Sequence, residues 1–192
     1  EGEVGFVNTI QRIIDAESSE EIHQKIKSEP IEHCISRNKE GKLQNTFTGY
    51  RIKHLDDEMP SPYTTGLLDK FFDGKLAPIL QTTRGCPFHC TFCTDGVDDV
   101  NKVNKFSSKR VKEDINYIAT HIPENVHTLY ISDLNFGMYA GDLETCNAIH
   151  DVQQKYGYPK KILATTGKNQ KEKIIESIKR LNGTMALSMS VQ

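Results

Sequence analysis

The chain has 192 residues, 36% hydrophobic and 26% charged, with a formal net charge of −2. This is the composition of a folded globular chain, and it excludes a disordered or strongly polyanion-seeking one, so neither nucleic acid nor a membrane surface is an expected partner. There is no run of about 18 apolar residues to span a bilayer. The opening Glu1-Gly2-Glu3-Val4 lacks the basic and apolar regions of a signal peptide, so the expected location is cytoplasmic.

In chain order, Val4, Val7, Ile10, Ile13 and Ile14 fall on one face of a helix over 4–16. Ser18-Ser19-Glu20-Glu21 caps a second, shorter helix. Ile31, His33 and Ile35 alternate, as do Leu43, Asn45 and Phe47, with Asn38-Lys39-Glu40-Gly41 between them, which predicts a β-hairpin. A linker with two prolines covers 54–63, and a helix follows over 65–72, ending at Asp73-Gly74. From there the pattern becomes a regular alternation. Strands are predicted at 79–83, 127–132, 162–166 and 185–191, and helices at 108–121, 142–156 and 170–181. Val111, Ile115 and Ile118 point inward on the first of these helices, and the last carries Ile174, Ile175, Ile178 and Leu181.

Alternating strands and helices call for a parallel sheet with right-handed crossovers, in an α/β fold that is either doubly wound or part of a (βα) barrel. A terminal strand with no covering helix points to a piece of a longer protein, cut inside a barrel.

Chemistry concentrates after the first strand of this alternation, in Arg84-Gly85-Cys86-Pro87-Phe88-His89-Cys90-Thr91-Phe92-Cys93. Loops at the carboxyl ends of strands form the active face of βα folds. The five cysteines are Cys34, Cys86, Cys90, Cys93 and Cys146; one tight cluster and an odd total do not make a disulfide framework, and such a cluster binds metal more often. Three thiolates spaced by three and then two residues can wrap one metal centre, and a four-iron cubane held by three would leave one iron open. A structural zinc site, with His89 as a fourth ligand, is the plainer alternative. An electron-transfer iron–sulfur protein is another, although it would want four cysteine ligands.

The CxxxCxxC spacing, with an aromatic just before its last cysteine, resembles the radical SAM superfamily. The wider phrase RGCPFHCTFC resembles its cobalamin-binding branch. That resemblance implies a partial radical SAM barrel, TIM-like in plan, over 77–192. Cys86, Cys90 and Cys93 would hold a [4Fe–4S] cluster, with S-adenosylmethionine (SAM) on the open iron and Phe92 near its adenine. Reductive cleavage of SAM would then give a 5′-deoxyadenosyl radical, fed by a reducing partner such as flavodoxin or ferredoxin.

The resemblance also offers Asp133, in Ser132-Asp133-Leu134-Asn135-Phe136-Gly137, as a cofactor-binding residue where many members carry a glycine-rich GGE-like stretch. Ser190 and Gln192, alternating with Ser188 on the last strand, would contact cofactor as well. Glu1-Gly2-Glu3 before a helix resembles the end of a cobalamin-binding domain, so 1–54 would be that end plus the hairpin, and 55–76 a linker and helix. The reaction expected of a cobalamin-type parent is methyl transfer to an unreactive carbon or a rearrangement. A methylthio-transferring enzyme acting on tRNA would call for a second cluster and a basic RNA-binding module, neither of which is seen. Lys102, Lys105, Lys109, Arg110 and Lys112 read as a solvated helix start, and Cys34 and Cys146 as packing residues.

Overall fold

A computed structural model describes residues 2–46, 51–96 and 101–187. The chain divides into two compact units, Glu1–Ile52 and Lys53–Gln192.

The first unit contains α1 (Gly2–Ile14), α2 (Ser19–Ser28) and an antiparallel pair, β1 (Ile35–Arg37) and β2 (Leu43–Asn45). The Ser18 hydroxyl accepts from Glu21 N at 3.2 Å, and Glu21 in turn accepts from Glu17 N at 2.6 Å, so both side chains bind backbone donors that the helix start leaves free. The Arg12 guanidinium donates to the carbonyls of Lys25, Glu29 and Pro30 at 3.1, 2.9 and 2.8 Å, gathering the far end of α2. The turn of the hairpin is held by Asn38 Oδ1, which accepts from Glu40 N and Lys42 N at 3.1 and 2.8 Å.

Two expectations for this unit change. The strand starts at Ile35 rather than Ile31, because His33 takes φ 61°, outside strand geometry. The buried point of α1 is Gly5, while Val7 and Ile14 are 61% and 69% exposed. The reason is close approach: a Cβ on Gly5 would stand 2.8 Å from the His33 carbonyl oxygen and 2.9 Å from Cys34 Sγ. Phe47 lies outside the described residues.

The second unit runs α3 (Leu55–Glu58), β3 (Ile79–Leu80), β4 (Thr83–Arg84), β5 (Asn104–Lys105), α4 (Ser108–His121), β6 (Thr128–Phe136), α5 (Ala140–Tyr156), β7 (Lys161–Thr166) and α6 (Lys171–Arg180). The architecture is α/β: among the described residues, β3, β6 and β7 form a parallel sheet in that order. Leu80, Leu129, Ile131 and Ile162 of the sheet pack with Val111, Ile115 and Ile118 of α4, Ile149 of α5 and Leu181 into one core. Cys146 is buried in it, and burial pushes its thiol up to about 12, so it is an inert packing residue.

The helix expected over 65–72 is instead a set of turns with a 3₁₀ turn at Asp69–Phe71, since Gly66 adopts φ 73° and breaks any α-helix there. Ile175 is 45% exposed: α6 turns Ile174 and Ser177 toward the core. Of the expected last strand, Met185 makes a parallel bridge to Ile162, and 188–191 lie outside the described residues. Arg110 is not simply solvated. It pairs with Asp114 at 2.9 Å and donates to the Met59 carbonyl at 2.8 Å, while Ser61 Oγ donates to Asp114, so α4 is pinned to the segment leading into the sheet. That segment also meets β3 through Tyr63, whose hydroxyl donates to Ile79 O at 2.7 Å and accepts from Ile79 N at 3.1 Å.

Candidate active site at the cysteine loop

The loop bearing the three clustered cysteines leaves β4 and returns through β5, two strands too short for sequence periodicity to reveal. Thr83 pairs with Lys105 and Arg84 with Asn104, and Phe106 N donates to Thr82 O at 3.0 Å, so the base of the loop is zipped. Gly85, at φ 105°, starts the path. Cys93 N donates to Cys90 O at 3.0 Å and Gly96 N to Cys93 O at 3.1 Å, making two successive turns. A Cβ on Gly96 would lie 2.7 Å from Cys90 O, so only glycine lets the loop fold back on itself there.

Cys86, Cys90 and Cys93 are half-buried and are not joined in disulfides. Two of their sulfurs receive donors from the ends of the neighbouring parallel strands: Asn135 Nδ2 donates to Cys86 Sγ at 3.3 Å, and Lys168 Nζ to Cys90 Sγ at 3.4 Å. The Lys168 ammonium also stands 5.6 Å from the centre of the Phe92 ring, which is 75% exposed. His89 turns to Asn101, its Nε2 3.0 Å from Asn101 Nδ2. Among the described residues no three His, Cys, Asp or Glu side chains converge on one metal ion.

Asp133 is 2% exposed and braces the entrance to this loop. Its Oδ1 accepts from Thr82 N and Thr83 N at 2.8 and 3.2 Å, and its Oδ2 from the Thr82 hydroxyl. Burial pushes its carboxyl above the ordinary value, and the Thr82 and Thr83 bonds oppose that shift. Asp133 and Asn135 lie where β6 loses its regular register against β7, between Ile131 and Phe136. Such irregularities re-aim side chains beside active sites. Ser190 and Gln192 lie outside the described residues.

A second layer supports the first. Asp142 accepts from Tyr139 N at 2.8 Å at the start of α5; burial, with the Asp133 charge adding to it, pushes its carboxyl up to about 6. The Tyr139 hydroxyl is buried beside Cys86 and Asn135. The Asn135 amide stands alongside, yet among the described residues no bond of full hydrogen-bond geometry reaches the hydroxyl. Burial, then Cys86, Asp142 and Asp133, push this phenol up to about 12. The Lys105 ammonium sits 4.7 Å from the centre of the Tyr139 ring.

The donor set fits an iron–sulfur cluster: three thiols outside any disulfide on one loop, with N–H groups aimed at two of the sulfurs, are what such a cluster takes from a protein. A cubane uses one thiolate per iron, so its sulfurs need not meet at a single ion.

No family model matches the chain. Curated relatives do. Over 125 residues the chain is 33% identical to a 2-(S-pantetheinyl)-carbapenam-3-carboxylate methyltransferase of Streptantibioticus cattleyicolor, a match covering 62% of this chain and 18% of that protein. Over 136 residues it is 30% identical to the cobalamin-dependent radical SAM methyltransferase TokK of Streptomyces tokunonensis, covering 66% and 19%. An uncharacterized methyltransferase of Pyrococcus horikoshii is 31% identical over 86 residues, covering 44% and 18%. By sequence, then, the chain is similar to methyltransferases, and the resemblance to the cobalamin-dependent radical SAM branch holds. The matches span about a fifth of the length of these relatives. No helix among the described residues is long and apolar enough to cross a membrane.

Proposed function

We propose that the chain is the cluster-binding part of a radical SAM methyltransferase of the cobalamin-dependent kind, its parallel sheet forming part of a (βα) barrel in the cytoplasm. The observation that carries this reading is the cysteine loop itself, seated at the carboxyl end of a parallel sheet with donors from β6 and β7 on two of its sulfurs. Cys86, Cys90 and Cys93 would hold a [4Fe–4S] cluster. When bound, that cluster supplies the electron that cleaves SAM reductively.

The chain's own residues do the rest. The β4–β5 base and the Asp133 brace fix where the loop leaves the sheet. Phe92, left exposed beside the cysteines, offers a flat apolar face for the SAM adenine, and Ser190 and Gln192 are proposed to contact the same cofactor. The names of the relatives favour methyl transfer as the outcome, with cobalamin as a further cofactor of the whole protein and a flavodoxin- or ferredoxin-like reductant as partner.

The test is anaerobic reconstitution with iron and sulfide, followed by EPR of the dithionite-reduced protein. A [4Fe–4S]⁺ signal that shifts when SAM is added, and disappears when Cys86, Cys90 and Cys93 are changed to Ala, is the expected result. Tightly bound zinc, or folded protein that takes up no cluster, would refute the reading and leave a structural metal loop.

A further inference from the structure

We infer that Lys168 is a positioning residue that places a fixed positive charge on the Cys90 sulfur and so makes a cluster held by this loop easier to reduce. The inference rests on the cluster-binding reading above. It starts from how Lys168 is delivered. Gly167 is buried at the end of β7, its amide donates to Phe136 O at 3.2 Å, and a Cβ there would come within 2.7 Å of Met138 Cβ. Glycine therefore lets the end of β7 close onto the end of β6, and the next residue is carried over the cysteine loop. Its ammonium then meets Cys90 Sγ at 3.4 Å and the Phe92 ring at 5.6 Å. Among the described residues it takes part in no ion pair with a carboxylate. Its ammonium faces sulfur.

Reduction adds one electron to a cluster without adding a proton, so the reduced form carries one more negative charge. A cation and an N–H···S bond at a ligand sulfur stabilise that form more than the oxidised one, which raises the reduction potential. Asn135 does the same at Cys86 with a neutral dipole, and a neutral donor is weaker than a charged one. The two donors are therefore unequal, and the larger effect belongs to Lys168.

The experiment is an EPR-monitored potentiometric titration of the reconstituted protein without SAM, comparing wild type with K168M, K168Q and K168R, and with iron and sulfide measured in each. K168M is expected to keep its cluster and to reduce about tenfold less favourably, a shift of about 59 mV to more negative potential for a one-electron couple. K168Q, which keeps a donor without the charge, should fall between K168M and wild type, and K168R should stay near wild type. A full cluster in K168M at unchanged potential would overturn the inference. So would loss of iron from K168M alone, which would make Lys168 a loop anchor. Failure of the wild type itself to take up a cluster would remove the underlying reading, and the inference with it.

Discussion

The two units of this chain are stabilised by opposite means. In Glu1–Ile52 no large hydrophobic residue of α1 is fully buried and Phe6, Val7 and Ile14 are exposed, while polar side chains bind backbone: Arg12 on three carbonyls, Ser18 and Glu21 on helix-start amides, Asn38 on the hairpin turn. In Lys53–Gln192 an apolar core between the parallel sheet and α4 and α5 supplies stability. Beyond the Ser61–Asp114–Arg110 tie to α4, three of its buried polar groups, Asp133, Asn135 and Asp142, stand on β6 and the start of α5 beside the cysteine loop. The comparison teaches where polar chemistry can be used for function: a unit with a filled core can hold carboxylates and amides in awkward places, and a unit without one needs them for its turns.

The contrast can be broken most sharply in the core. Ile149→Ala should destabilise the second unit by about 2–5 kcal/mol, read as a lowered urea midpoint, because the cavity lies among packed helices and sheet. Next comes Asp133→Ala. It leaves Thr82 N, Thr83 N and the Thr82 hydroxyl without their acceptor, at a cost of about 1–3 kcal/mol, and hydrogen exchange at the Thr82 and Thr83 amides should quicken first. In the first unit, Arg12→Ala should cost about 1 kcal/mol and be seen as faster proteolysis after α2, with the urea midpoint of the second unit unmoved.

The smallest effect is one of sign with pH. Burial raises the Asp142 carboxyl to about 6, so its folded form holds a proton that the unfolded chain has already lost. Stability from this group is present below the ordinary carboxylate range and is lost as pH rises through about 6. Glu21 behaves oppositely. The Glu17 backbone bond lowers its carboxyl, so its contribution is present above the ordinary value and is lost as pH falls. Asp142→Asn should therefore flatten the decline in the stability of the second unit between about pH 4 and 6, and a pH series of urea midpoints would check it.

What the sequence made legible follows the same division. The helices now placed as α4, α5 and α6 were readable from apolar spacing because each faces a packed core. The 65–72 helix misled because its apolar spacing is real while Gly66 sets the backbone. The cysteine spacing was local and therefore visible. Asn135 was within reach, two residues from Asp133 on one strand and so on the same side. Lys168 was not: its approach to Cys90 spans 78 positions and depends on how β7 ends against β6, which no local pattern encodes.

The nine residues of β6 also act as a ruler. The strand must reach from its pairing with Ile79 and Leu80 of β3 to the thiol of Cys86, with its brace and its donor two steps apart. Losing or gaining a single residue before Asp133 would bring Ser132 or Leu134 to the cysteine loop and turn both polar groups away. Substitution at the loop can be graded, but the length of this strand cannot drift by one. Proteins that share the loop are therefore expected to vary freely in the connections around β6 while holding its residue count between core and thiol fixed.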